Sequence, residues 1–230
     1  IGVKSGVCDG FIGNRILAHY RKTAAYLVLD GASPQEVDRA LEEFGFAMGP
    51  HKVGDLAGLD IDWMTRKRKA LTRRKEERYY GNVADRICEK SWFGRKSDKG
   101  YYLYDNNDIL PNPEVETIIA EERQKANITP KPIAASDIVD RYMTAMISEA
   151  VGVLEDKIAA RPRDIDMVLL FGYGFPRHRG GPMHYADDIG AQDLIERIEA
   201  YAKEDSYYWK VPPLLRQMAQ KGTTFADMNR

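Results

Sequence analysis

Apolar positions along the chain recur at helical spacing. Ile16, Leu17, Tyr20, Ala24, Leu27 and Val28 fall on one face of a helix, and Gly31 is a natural terminator for it. A second helix starts at Ser33-Pro34-Gln35-Glu36, with Ser at the N-cap, Pro in the first turn and Glu at the capping-box position. Val37, Ala40, Leu41 and Phe44 line its buried face, and Gly45, Gly49 and Pro50 interrupt it. The stretch from Val53 to Asp60 predicts a short helix and a turn. Trp92 to Tyr104 predicts a glycine-bounded basic loop running into an aromatic extended segment. Asn106 to Pro113 is turn-rich, a polar helix is expected from about Glu114 to Lys125, and Thr129-Pro130-Lys131-Pro132 is a second break.

The remainder repeats this plan. Asp140-Arg141-Tyr142-Met143 stands where Asn14-Arg15-Ile16-Leu17 stood, at an expected helix start, and Ala145, Met146, Ala150, Val153 and Leu154 continue the helical face. Arg161-Pro162 matches the second helix start, so that Val37-Asp38 aligns with Ile165-Asp166. Gly181-Pro182, Asp187 and Gly190 then match Gly49-Pro50, Asp55 and Gly58 at one common offset. This is an internal duplication of a helical unit. It predicts an all-α fold of two tandem homologous domains: residues 1–107, a linker with a polar helix at 108–132, and a degenerate second copy at 133–230. Each copy buries its apolar face against the other about a local pseudo-two-fold, as a pseudo-dimer.

Composition narrows the function. The chain has 230 residues, 43% of them hydrophobic and 30% charged, with a formal net charge of -1. That gives no global attraction to nucleic acid or anionic membrane, and no apolar run approaches the roughly 18 residues of a spanning helix. Cys8 and Cys88 are expected as free thiols in a reducing compartment. The chain opens on Ile1 rather than Met, which suggests a fragment or a processed product. A basic run from Arg66 to Arg78 reads either as a solvated helix face or as a site for an anionic group. Without interleaved aromatics it does not resemble a nucleic-acid platform. The loop from Gly172 to Pro182 is basic and glycine-rich; a turn between helices is one reading and a phosphate cradle the other, but it lacks the dinucleotide fingerprint.

A self-sufficient active site is missing. There is no P-loop, no nucleophile elbow, and no C-x-x-C or H-E-x-x-H motif, so no metal is expected. The four histidines His19, His51, His178 and His184 are expected as surface or packing residues rather than ligands or catalytic groups. Asn14 has two readings. It caps the first helix, or it points into a cleft and donates a hydrogen bond to a carbonyl or to a catalytic base.

Gly10-Phe11-Ile12-Gly13-Asn14-Arg15 resembles the motif that opens the C-terminal domain of the 3-hydroxyacyl-CoA dehydrogenases. The resemblance continues through Met48-Gly49-Pro50, Asp55 to Asp60 and Gly94 to Tyr102, and through Gly172 to Pro176 and Arg179 to Met183 in the second copy. Two tandem copies resemble the multifunctional fatty-acid oxidation enzymes, in which an enoyl-CoA hydratase/isomerase part precedes the dehydrogenase. The resemblance implies helical domains of the 6-phosphogluconate dehydrogenase C-terminal type and the oxidation of L-3-hydroxyacyl-CoA by NAD⁺. It places the nucleotide fingerprint, a His–Glu base pair and a substrate-holding Ser on a preceding Rossmann domain, with no counterpart here. Of the family's active-site residues only its Asn carries over, onto Asn14; the second copy has Asp140 instead, which makes that copy a structural partner. The implied partners are acyl-CoA, the protein's own Rossmann and hydratase domains, and a thiolase subunit of the full enzyme. Arg95 and Lys96 are weaker candidates for substrate contact. The competing reading is a freestanding module that binds CoA esters or drives oligomerisation. The chain ends without a peroxisomal address, so a bacterial cytoplasm is the expected location rather than a peroxisome.

Overall fold

The computed structural model describes residues 2–106 and 108–229. The helices are α1 (Gly13–Asp30), α2 (Pro34–Phe44), α3 (Pro50–Ala57), α4 (Leu59–Lys69), α5 (Asn82–Glu89), α6 (Pro113–Lys125), α7 (Ala135–Glu155), α8 (Pro162–Gly172), α9 (Pro182–Ile189), α10 (Ala191–Ala202) and α11 (Pro213–Lys221). Short 3-10 turns lie at Arg95–Ser97, Arg177–Arg179 and Ala226–Asn229. The expected all-α class holds. Strands β1 (Tyr102–Asp105) and β2 (Asp108–Pro111) pair antiparallel, with Tyr102 opposite Pro111 and Asp105 opposite Asp108. β2 occupies a stretch expected to be only a turn-rich break. The cross-strand pairs Leu103–Leu110 and Tyr104–Ile109 supply the side-chain contacts that stabilise it.

The chain forms two compact units. One holds residues 24–44 and 48–139; the other holds the residues up to 23, 45–47 and those from 140 onward. The division runs across the sequence repeat, because the opening segment of the first copy belongs with the second copy.

In the unit that carries α2 to α6, the expected capping box is present. Ser33 Oγ accepts from the Glu36 N–H at 3.2 Å, and Glu36 Oε2 accepts from the Ser33 N–H at 2.7 Å. Val37 and Leu41 of α2 are buried with Ile87, Val115 and Ile118. Two buried carboxylates order the rest. Asp38 accepts from the His51 N–H at 2.9 Å, the Lys52 N–H at 3.0 Å and the Tyr102 hydroxyl at 2.8 Å. It thereby satisfies the orphan donors at the start of α3. Asp55 accepts from the Tyr101 and Tyr102 N–H groups and the Tyr104 hydroxyl, each at 3.0 Å. A Cβ at Gly94 or Gly100 would strike Asp55, so the Gly94 to Gly100 loop is shaped to wrap this carboxylate. The helix expected near 114–125 is α6, whose Val115, Ile118 and Ile119 are core residues. Arg123 ties it to the α1 C-terminus through the carbonyls of Val28 at 2.6 Å and Ala32 at 3.0 Å.

The unit that carries α8 to α11 repeats both devices. Asp166 accepts from the Met183 N–H at 2.7 Å at the start of α9. Asp187 accepts from the Phe225 and Ala226 N–H groups at 2.7 and 2.9 Å. The duplication read from Asp38/Asp166 and Asp55/Asp187 therefore extends to the job each carboxylate does. One expectation is corrected: Asp140 does not start a helix. α7 begins at Ala135, and Asp140 lies inside it, accepting from Arg197 Nη1 at 2.8 Å. Residues 133–139 contain no glycine, so helical bonding extends back past Asp140.

Burial pushes Asp55 up to about 6 against the opposing pull of its N–H and hydroxyl donors. The unfolded value is about 3.9. A raised carboxyl contributes stability that is complete below the unfolded value and lost as pH rises through the folded one. Chemical denaturation of the wild type and of Asp55→Asn should therefore show the wild type losing about 2–3 kcal/mol relative to the variant between pH 4 and pH 7. A pH-independent difference would contradict this.

Candidate functional site

A left-handed turn delivers Asn14 to the surface. Gly10 has φ 85° and Phe11 φ 51°, and the Phe11 N–H closes the turn on the Cys8 carbonyl at 3.2 Å. A Cβ on Gly10 would meet the Arg15 backbone, so glycine is required there. The Asn14 N–H already bonds back to the Gly10 carbonyl at 3.1 Å, and Asn14 is the second residue of α1. It is past the cap position, which removes the capping reading.

Adjacent residues of α1 then take separate tasks. Arg15 is committed to the fold: its Nε reaches Glu149 of α7 at 2.5 Å and its Nη1 reaches Asp156 at 2.8 Å. His19 stacks on Tyr208 with centroids 4.6 Å apart. Burial, with the charges of Lys22 and Arg15, pushes it down to about 3, so it is neutral at physiological pH. Asn14 by contrast is exposed, and its Oδ1 accepts from the Tyr173 hydroxyl at 2.8 Å.

Tyr173 is the C-cap residue of α8. Its ring lies on Gly13, where a Cβ would overlap it. Phe175, two residues on, is buried and meets Phe46 edge-on at 5.7 Å. Gly45 packs beside Pro176 and His178. The loop of the second copy is thus seated on residues 13–14 and 45–46 of the first. Nothing local in the sequence pointed to Tyr173; its spacing of 159 residues from Asn14 hides it. Chemically the pair is neutral. An amide does not titrate, and burial raises the Tyr173 phenol above its ordinary value. It can orient and donate hydrogen bonds but cannot take up a proton at neutral pH.

The other predicted residues are placed elsewhere. Arg95 and Lys96 lie on the 3-10 turn of the α2–α6 unit, and Lys96 Nζ is held by Asp60 at 2.5 Å. Within the basic run, Arg66 is buried against Asp85 at 2.7 Å, Arg78 forks onto Asp30 at 3.0 and 2.6 Å, Arg73 lies over Tyr79, and Lys67 over Trp63. Much of its charge is spent within the fold. His51 is buried against Asp38 at 3.0 Å, and His184 lies 3.8 Å from Asp188. In the Gly172 to Pro182 loop, the Met183 N–H at the start of α9 is taken by Asp166 Oδ1 at 2.7 Å, so that donor does not face a phosphate. No helix among the described residues is long and apolar enough to cross a membrane.

Comparison with known proteins shows the family to which the chain is similar. The model of the 3-hydroxyacyl-CoA dehydrogenase C-terminal domain family matches twice, at residues 10–104 and 138–226. The peroxisomal bifunctional enzyme of Danio rerio is 40% identical over 97% of the chain, which covers 33% of that protein. The fatty acid oxidation complex subunit alpha of Shewanella halifaxensis is 36% identical over 94% of the chain and is covered to 30%. The dehydrogenase part of multifunctional enzyme 1 from C. elegans superposes with a TM-score of 0.73 at 25% identity, covering 92% of this chain and 48% of that one.

Proposed function

Because the chain belongs to the 3-hydroxyacyl-CoA dehydrogenase C-terminal domain family, we propose that it is the C-terminal part of an NAD-dependent L-3-hydroxyacyl-CoA dehydrogenase within a multifunctional β-oxidation enzyme. The chain spans about a third of the length of the curated relatives it matches. The carrying observation is the double family match together with a surface Asn14 held by a hydroxyl from the second copy. Residues 1–107 are the first domain, 108–132 connects, and 133–230 is the degenerate copy whose role is structural support. The contacts of residues 13–15 with Tyr173, Glu149 and Asp156 support a pseudo-dimer of copies.

Asn14 is assigned the catalytic hydrogen bond. Its Nδ2 group donates to the substrate oxygen or to a base supplied from outside this chain, because the Asn14–Tyr173 pair cannot itself accept a proton. No residue of this chain is assigned to NAD in this reading, since the sheet among the described residues is a two-stranded hairpin rather than a strand–helix nucleotide unit. The dinucleotide and the base are assigned to a preceding Rossmann domain, with a hydratase domain before it. A thiolase subunit is a further partner in this reading. Arg95 is the better of the two basic candidates for the anionic CoA end, since Lys96 already holds Asp60. The identities to a bacterial complex subunit and to peroxisomal enzymes support a β-oxidation compartment, bacterial cytoplasm or peroxisome.

The test compares the full-length protein with this 230-residue chain alone. The full-length enzyme should reduce NAD⁺ with 3-hydroxyacyl-CoA, and the chain alone should not. Turnover by the isolated chain would show that the catalytic base has been misplaced. A full-length protein inert toward 3-hydroxyacyl-CoA would favour the binding-module reading.

A further inference from the structure

We propose that Tyr173, a residue of the second copy, is a positioning residue for Asn14, so that the second copy completes the active site of the first. The inference rests on the reading of Asn14 as the catalytic hydrogen-bond donor.

The bond between them does little for the fold. Asn14 is exposed, and a hydrogen bond that water can replace contributes only about 0.5–1.5 kcal/mol net. The placement of Tyr173 is nonetheless tightly determined. Its N–H bonds to the Leu169 carbonyl at 3.2 Å, and the Phe175 N–H bonds to the same carbonyl at 3.1 Å. Gly174 between them takes φ 70°, a turn that suits glycine. Phe175 anchors the far side by burial against Phe46. Gly13 offers a flat seat that any side chain would fill. The ring is therefore held by packing, and its hydroxyl is carried to Asn14 Oδ1 at 2.8 Å.

That hydroxyl gives the amide a defined sense. A phenol that donates to Oδ1 turns Nδ2, with both N–H donors, the other way. Without it the exposed side chain would exchange rotamers and amide orientations freely. Fixing a donor before the reaction is the feature that makes such a bond effective in a transition state. A phenylalanine would fill the seat on Gly13 equally well, so packing alone does not explain the hydroxyl.

A double-mutant cycle in the full-length enzyme tests this, with Tyr173→Phe, Asn14→Ala and the combined variant. Tyr173→Phe should leave thermal unfolding nearly unchanged, keep KM within about twofold and lower kcat about tenfold, as a small misplacement of a catalytic group does. In the Asn14→Ala background it should have no further effect. If Asn14→Ala lowers kcat and Tyr173→Phe does not, the positioning role is overturned while the role of Asn14 stands. An equal loss of kcat from Tyr173→Phe in both backgrounds would also overturn it, since the hydroxyl would then act by another route. If Asn14→Ala itself leaves kcat intact, the underlying reading of Asn14 fails, and this inference fails with it.

Discussion

Replacing Asn14 by Ala in the full-length enzyme should lower kcat by about 10²-fold or more, the size of effect seen when one preorganised transition-state donor is removed. Folding should scarcely register the change. Asn14 is an exposed residue in the first turn of α1, and the bond it loses, to Tyr173, is itself exposed; the expected stability loss is at most about 1 kcal/mol. Asn14→Asp separates the two effects further. A carboxylate would still accept from Tyr173, and it would suit the positive end of the helix dipole, so stability should be kept or rise. Activity should fall all the same, because the N–H donors are gone. Retained activity in Asn14→Asp would mean that the acceptor oxygen, not the donor, is what the reaction uses. Steady-state kinetics and a melting curve on each variant decide the matter. The neighbouring Arg15 should behave oppositely as Arg15→Ala: stability falls through the loss of Glu149 and Asp156.

The largest stability effect is expected at Asp55. It is fully buried and accepts two backbone N–H groups and one hydroxyl. Asp55→Ala leaves the two buried N–H groups without an acceptor, while the half-buried Tyr104 hydroxyl can turn to water; each buried unsatisfied group costs about 1–3 kcal/mol. The expected loss from the two N–H groups is about 2–6 kcal/mol, a large fraction of the 5–15 kcal/mol typical of a domain. The repeat provides an internal control. Asp187 holds the matching pair of N–H groups in the second copy, but it is only partly buried, so water can replace it. Asp187→Ala should cost roughly 1–2 kcal/mol. Denaturant titration of both variants checks the order. Equal losses would show that burial does not set the difference.

The legible part of this protein was local or repeated. Ser33-Pro34, Gly49-Pro50, Arg161-Pro162 and Gly181-Pro182 each mark a helix start, because capping chemistry and the fixed φ of proline act within a single turn. The common offset exposed Asp55 and Asp187 as matched before their partners were known. Features set by distant partners were not legible in the same way. Asp140 resembled Asn14 in register, yet with no glycine before it the helix simply continued. The stretch that forms β2 reads as a turn-rich break, since four residues of strand exist only by virtue of the strand opposite. The basic run reads as a solvated helix face or an anion site, while Arg66 and Arg78 are spent on Asp85 and Asp30.

Cys8 to Leu17 by itself determined a glycine-made turn, a helix after it, and an Asn whose type a helix does not require. Only the tertiary structure decided that Asn14 stands inside the helix rather than at its cap, and that the group fixing its amide is Tyr173. The physical reason is range. Periodicity, caps and turns are settled among residues a few positions apart. A hydrogen bond across 159 residues depends on packing, here the ring on Gly13 and Phe175 against Phe46, which no short stretch of the chain encodes.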